Sequence, residues 1–280
     1  MQWDGRLAVI GAGVMGTGIT TLAVSHGIPV TLIDVDAGAA QRAAAAVATQ
    51  RRAAQLFGKL PRDVEPASLH VGTSLGDAAD ADVIIEAIVE VAEAKAALLS
   101  ELSTVARPTA LIVSNTSAIP IDELANSVKN AERVVGAHFM NPPYMIRTIE
   151  VIRGPRTGDE ALGRLTELLE ALGGEVLVVN DGPGFVINRV LQRMINESAR
   201  IVADGTATAE TVDRLFQGCL GHSTGPLATG DLIGLDNVVD SLRVLHERTG
   251  DAGYEPCDLL VEMVARGDFG RKTGRGFYTY

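Results

Sequence analysis

The stretch Arg6-Leu-Ala-Val-Ile-Gly-Ala-Gly-Val-Met-Gly-Thr-Gly18 decides the fold of this chain. Leu7 to Ile10 is a short apolar run with strand character, and it feeds a G-x-G-x-x-G turn at Gly11, Gly13 and Gly16. A helical pattern follows through Ala23. In such a turn the first glycine permits the bend, and the second leaves the backbone open to a pyrophosphate. The third lets the helix pack closely on the strand, so that its N-terminus faces the phosphates. A second apolar run, residues 29–33, ends in Asp34, the acid expected to bind the adenosine ribose hydroxyls. A carboxylate there repels a 2′-phosphate, and no arginine immediately follows it. The pattern therefore points to NAD over NADP.

Outward from that turn, short β-like runs alternate with amphipathic stretches as far as about Val179. Strands are expected at residues 7–10, 29–33, 69–71, 83–85, 111–114, 134–137, 148–152 and 176–179. Helices, such as those over 37–55 and 91–102, lie between several of them. This rhythm belongs to an α/β fold, a Rossmann-type doubly wound parallel sheet. At Asp181-Gly-Pro-Gly184 the pattern changes to helical periodicity alone, over 185–204, 209–217, 235–247 and 257–266. The expected division is a dinucleotide-binding domain, 1–182, and a smaller all-helical C-terminal domain, 183–280.

Composition narrows the function classes. The chain has 280 residues, 46% hydrophobic and 21% charged, enough for one large core or two ordinary ones. A net charge of −11 argues against nucleic acid as a partner, since phosphate backbones need a cationic footprint. No segment reads as membrane-spanning, and Met1-Gln-Trp-Asp-Gly-Arg6 lacks the apolar stretch of a signal peptide. Cys219 and Cys257 have no metal-ligand spacing, so a reduced, cytoplasmic setting without a structural metal is expected. One basic cluster, Arg51, Arg52, Lys59 and Arg62, reads either as a solvated helix end or as a docking patch for a phosphorylated carrier.

The richest chemistry lies in Gly136-Ala-His-Phe-Met-Asn-Pro-Pro-Tyr144 and Thr148-Ile-Glu-Val-Ile152. His138 ends an apolar strand, at the carboxyl edge where open α/β sheets bind ligands. Histidine is the natural base for an alcohol proton near neutral pH. Glu150 is an unusual occupant of an apolar run, and a buried carboxylate needs a partner, for which His138 is the obvious candidate. The alternative is a strand-capping histidine and a solvent-facing acid.

Together these stretches resemble the 3-hydroxyacyl-CoA dehydrogenases over nearly the whole chain. The matching motifs are Gly11-Ala-Gly-Val-Met-Gly16, Ile85-Glu-Ala-Ile-Val-Glu90 with Lys95, Ser114-Asn-Thr-Ser117, and His138-Phe-Met-Asn-Pro142. Pro183-Gly-Phe-Val-Ile-Asn-Arg189 and Gly270-Arg-Lys-Thr-Gly-Arg-Gly-Phe-Tyr278 complete the set. The resemblance implies His138 as catalytic base and Glu150 as its orienting partner. It places Ser117 and Asn188 on the reacting oxygen or the base, and Glu90, Lys95 and Asn141 on the cofactor. It also implies a homodimer.

Two departures bear on the substrate. The loop after Asn141-Pro142 reads Pro143-Tyr-Met-Ile-Arg147, which looks more like relatives that oxidise polar hydroxy acids, such as the gulonate dehydrogenases. Tyr144 and Arg147 are the candidate substrate contacts there. Counted without gaps from Asp34, Gln50 and Phe57 stand where CoA-using members carry serine and lysine. The chain also resembles the family branch of polyketide extender-unit pathways, which acts on a glyceryl group held by an acyl carrier protein. The expectation is an NAD-dependent dehydrogenase of a short, polar 3-hydroxyacyl thioester on CoA or carrier protein. The alternatives are an ordinary 3-hydroxybutyryl-CoA dehydrogenase, a dehydrogenase of a free hydroxy acid, and a non-catalytic NAD-binding protein.

Overall fold

In a computed structural model, which describes residues 3–280, the chain divides into two compact units, Met1–Gly182 and Pro183–Tyr280. Met1 and Gln2, where the segment read for a signal peptide begins, lie outside the described residues.

The first unit runs β1 (Leu7–Ile10), α1 (Val14–Ser25), β2 (Val30–Ile33), α2 (Ala37–Leu56), β3 (Leu69–Gly72), β4 (Val83–Glu86), α3 (Ala92–Val105) and β5 (Leu111–Ser114). It continues through α4 (Ile121–Ala125), β6 (Val134–His138), β7 (Thr148–Arg153), α5 (Asp159–Ala171) and β8 (Glu175–Asn180). The strands form one sheet in the order β3-β2-β1-β4-β5-β6-β7-β8. β1, β4, β5 and β6 are buried along their whole length, which is why they read as unbroken apolar runs and not as alternating ones.

Seven neighbouring strand pairs make this sheet, and six are parallel. The pair β6–β7 is antiparallel, a departure from the parallel reading. The cause is the length of the connection. Residues 139–147 are too few to form the crossover helix that returns a chain to a parallel strand. The reversal sets His138 directly opposite Glu150 in the ladder.

The turn after β1 is held open by its glycines. Gly11 has φ +103°, in the left-handed region, and a Cβ on Gly16 would lie 1.8 Å from the carbonyl oxygen of Gly11. A side chain on Gly16 would lift α1 off the turn, and one on Gly11 would strike the carbonyl oxygen of Ala87, 2.6 Å away.

The second unit is helical: α6 (Ile187–Ala203), α7 (Ala209–Leu220), α8 (Pro226–Ile233), α9 (Leu235–Thr249) and α10 (Asp258–Ala265). Ile195, Leu227, Val238, Leu242 and Leu260 are fully buried and centre its core. The short helices α4 and α8 fall outside the sequence expectation, because five and eight residues are too few for a helical period to declare itself. Among the described residues no helix is long and apolar enough to cross a membrane, and no group of three or more potential ligands is placed to hold a metal ion.

Candidate active site

The edge of the sheet where β1, β2 and β4 end opens into a cleft of about 580 Å³. Gly11, Gly13, Asp34 and Leu98 line it. The cleft fits the dinucleotide expected from the glycine pattern. A Cβ on Gly13 would meet nothing within 4 Å, so that glycine serves no packing need and leaves the backbone bare toward the cleft. Asp34 is held in place by two backbone donors, the N–H of Ala12 to Oδ2 at 2.7 Å and that of Asp36 to Oδ1 at 2.9 Å.

A buried charge cluster stands at the neighbouring ends of β4 and β5. The Lys95 ammonium, 1% exposed, donates to Glu86 Oε1 at 2.5 Å and lies 3.3 Å from Glu90 Oε2. Glu86, fully buried, also accepts from Ser114 Oγ at 2.6 Å. Glu90 Oε1 accepts from Thr116 Oγ1 at 2.6 Å, Ser117 N at 2.7 Å and Ala118 N at 3.0 Å. Glu90 and Lys95 are thus brought together, and both are joined to the loop that carries Ser117. Lys95 is thus not a solvent-facing helix lysine. Sequence reasoning singled out Glu150 as an acid in an apolar run and passed over Glu86, which carries the same signal in Val83-Ile-Ile-Glu86.

His138 and Glu150 are both buried, 6% exposed each, and His138 Nδ1 lies 3.0 Å from Glu150 Oε2. A carboxylate accepts only, so Nδ1 carries the proton and Nε2 is the basic nitrogen of the ring. Asn115, which the sequence reading also passed over, accepts from Phe139 N through Oδ1 at 3.0 Å and ties the residue after His138 to the end of β5. Asn141 is exposed in the loop that follows. Asn188, the second residue of α6, belongs to the second unit and is half-buried there.

A second cleft, of about 450 Å³, opens between the ends of α1 and α2 and the loop before β7. His26, Lys59, Tyr144 and Arg147 line it, and among the described residues none of its lining is acidic. Arg147 is anchored, its Nε donating to Gly173 O at 2.8 Å. Burial holds the His26 imidazole below the usual histidine pKa, against a bond to Leu22 O, with Arg147 lowering it further. Gln50 accepts from Thr21 Oγ1 at 2.8 Å. The basic cluster is divided: Arg62 donates from Nε and Nη2 to Gln55 O near the end of α2, while Arg52 and Lys59 are exposed.

Residues 6–182 match the family of 3-hydroxyacyl-CoA dehydrogenase NAD binding domains, and residues 184–280 that of 3-hydroxyacyl-CoA dehydrogenase C-terminal domains. A protein of Deinococcus radiodurans described as a probable 3-hydroxybutyryl-CoA dehydrogenase is 39% identical over 277 residues, covering 98% of this chain and all of that one. The 3-hydroxybutyryl-CoA dehydrogenase of Bradyrhizobium diazoefficiens is 38% identical over 287 residues, 98% of this chain and 95% of its own. The crystal structure of an (S)-3-hydroxybutyryl-CoA dehydrogenase from Ralstonia eutropha superposes with a TM-score of 0.91 at 34% identity, covering 99% of both chains.

Proposed function

The chain belongs to the 3-hydroxyacyl-CoA dehydrogenase family, with NAD as cofactor, and from that premise we propose that it oxidises the 3-hydroxyl of a short 3-hydroxyacyl thioester to the 3-oxo product. The observation that carries this reading is the buried His138–Glu150 pair at the end of β6. Nε2 of His138 takes the hydroxyl proton, and Glu150 holds the ring and stabilises the imidazolium that results. Bound NAD supplies the hydride acceptor. Ser117 and Asn188 are the proposed donors to the reacting oxygen, and Glu90, Lys95 and Asn141 the proposed cofactor contacts. In the reverse direction His138 returns the proton.

The handle of the thioester is proposed to lie along the cleft of Lys59, Tyr144 and Arg147. In a chain of net charge −11, an acid-free cleft with basic lining suits the phosphates of CoA. A second reading, a carrier-protein substrate such as a glyceryl thioester, is favoured by Leu56 and Phe57. These are 78% and 72% exposed and adjoin Arg52 and Lys59, a surface suited to an acidic partner. Self-association is proposed through the helical unit, where Val190, Leu215 and Leu220 are exposed.

The test compares turnover of acetoacetyl-CoA with NADH against glyceryl-loaded carrier protein with NAD. CoA turnover alone upholds the first reading, and carrier turnover alone replaces it with the second. No turnover of either by a protein that binds NAD leaves the free hydroxy-acid and the non-catalytic alternatives. His138→Gln is the control: NAD binding persists, and turnover that also persists removes His138 from its role.

A further inference from the structure

Glu86 is a buried charged group that the proton and hydride transfers leave without a task, and its partner is the Lys95 ammonium. A buried ion pair is a poor stabiliser, because desolvation offsets most of its attraction and an apolar pair of the same volume serves the core as well. The geometry gives this pair another use. The Lys95 ammonium has three donors and three acceptors around it: Glu86 Oε1 at 2.5 Å, Ile88 O at 3.4 Å and Glu90 Oε2 at 3.3 Å. Lys95 thus ties Glu86 to Glu90.

Glu90 in turn gathers the Thr116 hydroxyl and the amides of Ser117 and Ala118 on its other oxygen. Glu86 reaches the same loop by a second route. Ser114 Oγ donates to Glu86 Oε2 at 2.6 Å and accepts from Thr116 N at 3.3 Å. We propose that Glu86 is a positioning residue for the dehydrogenase reaction, holding the Ser117 loop through Lys95 and Glu90 on one side and Ser114 on the other. The proposal rests on the reading that Ser117 addresses the reacting oxygen. Without Glu86, Glu90 is the anion left beside Lys95 and is drawn toward the ammonium, away from the loop amides.

The test uses the full chain and three variants, Glu86→Gln, Lys95→Met and the two combined. The double variant removes both charges together and keeps a Tm close to the parent. In Glu86→Gln, which keeps Lys95, kcat is expected to fall about 100-fold, the scale of a misplaced reacting group, with KM changing less. Amide hydrogen exchange at Ser117 and Ala118 is expected to quicken. Glu86→Gln with parental kcat and parental exchange, or a double variant with parental exchange, overturns the proposal and leaves the pair as core filling. Should the parent turn over no acyl thioester, the proposed function fails by itself. The exchange of these two amides still decides the positioning role, and unchanged protection ends it.

Discussion

The two units bury carboxylates in different company. In the first, Glu86 faces the Lys95 ammonium and Glu150 faces the His138 imidazole, so each buried acid has a partner that carries or takes up charge. In the second, Asp213 and Asp231 meet neutral donors. Asp213 accepts from Leu227 N, Ala228 N and Tyr278 Oη, and Asp231 accepts from Phe277 N, Tyr278 N and Tyr280 Oη. Burial first, and then the bond to Asp213, push the Tyr278 phenol far above its usual range, so it stays a donor at any working pH. Acids paired with titratable groups suit proton chemistry. Acids ringed by backbone N–H and phenols staple the C-terminal segment onto α7 and α8.

That contrast can be broken by exchanging each acid for its amide. Glu150→Gln keeps an acceptor for His138 Nδ1 but loses the charge that stabilises the imidazolium, and kcat is expected to fall about 100-fold or more with little change in Tm. Steady-state kinetics beside thermal melts check it. A fall in Tm with kcat intact would make the pair a staple like those of the second unit. Asp231→Asn should do the opposite. Its amide turns a donor toward groups that are themselves donors, at a cost of about 2 kcal/mol, or roughly 4–8 °C in Tm. Calorimetry reads this change, and faster proteolysis of residues 270–280 locates it.

The smallest expected effect sharpens the contrast within the first unit. His26 is buried but paired with a backbone carbonyl, and its pKa is lowered chiefly by that burial. The unfolded chain takes up the proton near the ordinary value of 6.5, and the folded chain only at lower pH. The His26 contribution to stability is therefore complete above 6.5 and is lost as pH falls toward the lowered folded value. Melts across that window should show the parent losing Tm more steeply than His26→Gln as pH falls below 6.5, because only the parent carries this histidine. Identical slopes in both proteins would assign the pH response to other groups.

Local pattern made much of the fold legible. The strand, the glycine turn and Asp34 lie within 28 residues, and each is dictated by nearest-neighbour geometry: a bend, an open backbone, a strand end. His138 and Glu150 were legible because twelve residues and one reversal separate them, and a charged residue in an apolar run demands a partner. The antiparallel setting of β7 was not, since periodicity carries no direction.

By itself, then, the sequence determined the succession of strands, the dinucleotide turn, the change to helices near residue 182 and the composition of the candidate pair. Only the tertiary structure decided what the other charged groups do. Glu86 meets Ser114 across 28 residues, Glu90 meets Ser117 N across 27, Arg147 meets Gly173 O across 26 and Asp213 meets Tyr278 across 65. A charged side chain far from its partner along the chain looks the same whether it faces water or a buried ion. The packing that removes the water is what separates the two.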